Sequence, residues 1–114
     1  MALFRKDREK VEMSNRILHI KLDNVAELLI YHRDQIFSPF AKEREVKAAA
    51  RSIERLLKDS EYTFTEENAR KINILAKELK RFSMIKLGDV DKYSFDIRIK
   101  WMLKLIEDLK ENTM

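Results

Sequence analysis

Apolar residues return along this chain at alternating intervals of three and four, the spacing that lays one face of an α-helix against a core. From about Asp7 to Ile36 the inward positions are Val11, Asn15, Leu18, Leu22, Val25, Leu29, His32 and Ile36. Ile17, Leu28 and Tyr31 widen that seam into a broad core-facing stripe. This first helix is the longest, roughly 45 Å at ~1.5 Å per residue. Ser38-Pro39 then interrupts the pattern. Proline disfavours helical geometry at the residue before it and suits a first helical position. A tight turn capped by Ser38, with Phe37 and Phe40 closing the corner, is therefore expected in preference to a kink.

A second helix over about 39–59 gathers Val46, Ala49, Ala50, Ile53, Leu56 and Leu57 on one face. Thr65 followed by Glu66 and Glu67 reads as a capped helix start, because a hydroxyl and early acids satisfy exposed N–H groups. The third helix, about 66–85, buries Ala69, Ile72, Leu75, Ala76, Leu79 and Phe82. Leu87-Gly88-Asp89 ends it, with Gly88 available for a left-handed cap. Asp91 or Ser94 caps the fourth helix, about 92–111, whose core face is Phe95, Ile99, Met102, Leu103, Ile106 and Leu109.

Short connections make consecutive helices antiparallel neighbours, so the chain is expected to be all-α: one antiparallel four-helix bundle over 1–114, up-down-up-down. A three-helix core with one helix donated to a second subunit is the other arrangement. Composition sharpens this. One Gly and one Pro, against about eight and six at average usage, leave few of the turns that a sheet protein needs. Absent cysteine excludes disulfides and thiolate metal sites. No uncharged apolar run approaches the ~18 residues of a membrane span, and the N-terminus turns charged too soon for a signal peptide. A cytoplasmic protein without a membrane partner is expected.

Two surface features carry the functional expectations. On the last helix, Ile97, Trp101 and Leu105 form a second apolar stripe about 100° from the core face. A helix apolar over so much of its circumference is usually buried on more than one side, and Trp with aliphatic neighbours suits a protein contact. The stripe predicts self-association as a dimer, or failing that a different protein partner; the alternative is that the long first helix covers it. On the second helix, Arg44, Lys47, Arg51, Arg55 and Lys58 fall within about 80° of arc opposite the apolar face. Arg70, Lys77 and Arg81 make a shorter row on the third, with Lys80 beside it. The net charge of +4 tolerates an anionic partner. These rows define the alternative function, sequence-tolerant nucleic-acid binding through phosphates, against a plain solvated face.

Catalytic chemistry finds no foothold. There is no cysteine nucleophile and no Gly-rich phosphate loop, and His19 and His32 stand about 140° apart around one helix, so they cannot share a metal. His32 reads as a hydrogen-bonded core or rim residue, and Asn15 as a polar seam position able to fix helix register. No cofactor, metal or small-molecule substrate is expected, and the function is read as non-enzymatic.

Overall fold

A computed structural model describes residues 5–34, 39–86 and 88–113. The helices are α1 (Arg5–Asp34), α2 (Pro39–Lys58), α3 (Glu66–Met84) and α4 (Lys92–Asn112). The expected corner at Phe37-Ser38, like Ile36 and Leu87, lies outside the described residues.

The direction of each helix follows from its cross-contacts. Along α1 and α2, Lys21 donates to Ser52 while His32 bonds to Glu45, so one helix rises as the other descends. Lys42, near the start of α2, meets the end of α3 at Phe82 and Ile85. Phe82 in turn packs on Phe95 near the start of α4, with ring centroids 5.0 Å apart. Lys110 near the end of α4 reaches Asp23, and Lys92 at its start reaches the Arg33 carbonyl. Each helix therefore packs antiparallel on its sequence neighbours and α4 closes on α1, an up-down-up-down ring measuring 52 × 21 × 18 Å. Among the described residues there is no extended strand, and no helix is long and apolar enough to cross a membrane.

The predicted stripes form the core. Leu18, Leu22, Leu29, Ile53, Ile72, Leu75, Leu79 and Ile99 are all 0% exposed, each such burial contributing roughly 1.5–3 kcal/mol. α2 and α3 make the most extensive helix pair, and the buried Ala50 and Ala76 let their backbones approach. Ala49, Leu57, Ala69 and Leu103 are only half-buried, at the edges of their faces.

Several positions differ from the expected pattern: Tyr31, expected on the core-facing stripe, is 47% exposed, and at Ser14 and the end of α3 a polar group takes a structural bond. Ser14, rather than Val11 or Asn15, turns inward: its Oγ donates to the Lys10 carbonyl and accepts the Thr63 N–H, tying the α2–α3 connector to α1. Asn15 lies at the edge, its Oδ1 buried without a hydrogen-bond partner. At the end of α3, the cap residue is Ile85 in extended geometry. Its last carbonyls are met by the Lys42 ammonium, while Gly88 adopts its positive φ of 114° in the following turn. The helix starts follow expectation: Thr65 accepts from Asn68 N and Asp91 from Ser94 N.

Candidate functional site

The fourth helix carries the more conspicuous unpartnered face. Ile97 is 46% and Trp101 49% exposed, whereas Leu105 is half-buried against the core. Tyr93, one spacing of four before Ile97, is 75% exposed and extends the row to four residues. Sequence reading missed Tyr93, although the same interval pointed to it. The long α1 does not cover this row. It meets α4 on the opposite flank, through Lys92, Asp96 and Lys110.

On the α3 side, Ile97, Arg98, Trp101 and Met102 face Glu78 and Phe82 across a groove of about 260 Å3. Phe82 and Met102, both about 1% exposed, floor it, so the groove opens directly onto the core. Arg98, Lys100 and Lys104 are exposed around the row, and Glu78 is engaged by Arg81 at 2.9 Å.

The basic rows of α2 and α3 divide into paired and unpaired cations. Lys47 bonds to Glu43 at 2.9 Å and Lys58 to Glu54 at 2.8 Å, both one turn apart. Hydrogen bonds from these lysines hold both carboxyls below the usual range. Arg44, Arg51, Arg55, Arg70 and Lys77 are exposed, and among the described residues no acid forms an ion pair with them. Thus the solvated-face account fits Lys47, Lys58 and Arg81, and leaves three arginines of α2 without acidic partners.

Beneath the two faces lies Lys42, a residue the sequence pattern gave no reason to single out. It is 6% exposed. Its Nζ donates to the Phe82 and Ile85 carbonyls and sits 4.3 Å from the Phe82 ring centroid. A cation at a helix C-terminus complements the carbonyl dipoles, yet burial pushes this ammonium down to about 8. An amine retains two N–H donors after losing its proton, so it can serve both carbonyls in either state. Position was the available signal: Lys42 stands four residues before Val46, on the core stripe.

The histidines are occupied. His32, 5% exposed, bonds to Glu45 at 2.7 Å. His19 Nε2 lies 2.7 Å from Thr113 Oγ1, whose hydroxyl donates to the Leu109 carbonyl at 2.6 Å, so the imidazole is the donor. Asn15, Arg16, His19 and Thr113 wall an open cleft of about 540 Å3 beside the end of α4. Among the described residues no three metal-ligating side chains converge. Comparison with protein-family models, curated proteins and solved structures returns no match to this chain.

Proposed function

We propose that this protein is a non-enzymatic helical assembly module that pairs with a second copy of itself through the outer face of α4. The observation carrying this reading is the row Tyr93, Ile97, Trp101 and Leu105, with Tyr93, Ile97 and Trp101 substantially exposed. Residues at a constant spacing of four are self-complementary under an antiparallel two-fold centred near Ile99. Tyr93 of one copy then meets Leu105 of the other, and Ile97 meets Trp101 above the α3/α4 groove. This is the isologous contact of a symmetric dimer. The exposed half of an indole is on the order of 100 Å2, worth about 2.5 kcal/mol per copy at ~25 cal/mol per Å2 before the cost of association.

The same geometry brings Arg98 and Lys100 of the two copies close to the axis. Like charges oppose pairing until salt screens them. Sedimentation equilibrium from low to high micromolar protein tests the reading, with wild type and Trp101→Ala compared at two ionic strengths. The expected result is a dimer that strengthens with salt and weakens at least tenfold in the variant, with helix content unchanged. A monomer throughout that range contradicts it.

A further inference from the structure

We infer that the face formed jointly by α2 and α3 binds the phosphate backbone of a nucleic-acid duplex. Arg44, Arg51 and Arg55 are exposed along one line of α2 and form no ion pair among the described residues, spanning about 16 Å at ~1.5 Å per residue. Arg70 and Lys77 are likewise exposed on the antiparallel α3 and form no ion pair among the described residues. The two rows border one seam. Leu57 of α2 lines one cleft with Arg70 and Asn73 of α3, which places these flanks side by side. With Lys42 joining the start of α2 to the end of α3, Arg44 lies toward Arg81 and Arg55 toward Arg70.

Three properties of the face select the occupant. It is built on the most extensive helix pair of the bundle, α2 and α3; cations spaced along two packed helices suit a stiff, regularly charged polymer. Among the described side chains it exposes no aromatic group: of the exposed large hydrophobic residues, Ile74 and Met84 lie on α3 and none lies on α2. Single strands are usually gripped by stacking bases on aromatics; a bilayer surface takes the continuous apolar stripe of an amphipathic helix, and Ile74 and Met84, ten residues apart, do not make one. It is also broad: two helices side by side, each ~10–12 Å in diameter, exceed the ~12 Å width of a major groove, so the joint face rests on phosphates rather than among base edges. Backbone contact without sequence choice is what remains. Lys47 and Lys58, held by Glu43 and Glu54, flank the free arginines and reduce repulsion along the row. This inference does not depend on the pairing through α4, which uses a different surface.

Fluorescence anisotropy with a labelled duplex across a salt series is the test, using wild type and Arg51→Glu/Arg55→Glu, with circular dichroism to verify folding. Five neutralised phosphates predict a log–log salt slope of about −4.5 for duplex DNA, or roughly 500-fold weaker binding over a fourfold rise in salt. Charge reversal is expected to abolish binding, and Trp101→Ala to leave the slope unchanged. Arg51→Gln/Arg55→Gln, similar in helix propensity, serves if the reversal disturbs folding; its expected slope is flatter by nearly two. Absence of duplex binding at low salt overturns the inference. So does binding that survives in the folded variant, or equal binding to single strands, anionic vesicles or polyglutamate.

Discussion

The outer row of α4 and the α2/α3 face are both unpartnered, and their chemistry is opposite. On α4 the exposed atoms are a tyrosine, an isoleucine and half an indole, and the nearby cations hinder rather than help. On α2 and α3 the exposed rows are guanidinium and ammonium ions, and among the described side chains of these helices the exposed large apolar residues are Ile74 and Met84 alone, both on α3. Water drives occupation of the first; counterions, released from a polyanion, drive occupation of the second. Salt therefore separates two proposed functions that share one small scaffold: it should strengthen one contact and weaken the other.

The largest expected effect breaks one side only. Arg51→Glu/Arg55→Glu should weaken duplex binding more than a hundredfold at low salt, read by anisotropy, while leaving the sedimentation profile intact. Next, Trp101→Ala should weaken self-association ten- to a hundredfold, since a dimer loses the side chain twice. Duplex affinity per protein chain should then hold; a parallel loss would mean that the two faces act together.

Lys42 joins the comparison because it closes α2 onto α3 below the basic face and lies over Phe82, the floor of the α4 groove. Burial lowers its folded-state value from 10.5 to about 8. Between these values the unfolded chain still holds the proton that the folded protein has released, so stability rises with pH. The penalty is fully present below about 8 and absent above 10.5. Denaturant unfolding of wild type between neutral pH and pH ~10 should show a gain on the order of 2 kcal/mol relative to Lys42→Met, which lacks the titrating group. Equal pH dependence in both would remove the buried-ammonium account. The smallest effect is Asp91→Ala. Losing the cap that accepts the Ser94 N–H costs about 1 kcal/mol, and fraying beside Tyr93 should weaken dimerisation a few-fold.

The helices and their core were legible because burial follows periodicity: Leu18, Ile53, Leu79 and Ile99 need only their spacing to be placed. The Ile97 and Trp101 face was legible for the same reason, as too much apolar surface for one helix. What escaped reading was polar and relational. Lys42 occupies a core position with a charged side chain, intelligible only once the end of α3 is known to lie above it. Ser14 replaced Asn15 on the inward face because the Thr63 N–H, forty-nine residues away, needed an acceptor. Nor did sequence distinguish free from paired cations. Glu43 and Glu54 could each reach several partners, and the side chains chose Lys47 and Lys58, leaving Arg44, Arg51 and Arg55 outward.

The most direct test of the account is sedimentation equilibrium of the full chain at increasing protein concentration, first at low and then at high salt. The expected result is a dimer whose association constant grows several-fold as salt rises, because screening removes the Arg98 and Lys100 repulsion at the α4 axis. A dimer that dissociates as salt rises would instead be held by opposite charges, and a monomer at both salts would leave the α4 row without the partner assigned to it; either result contradicts the account.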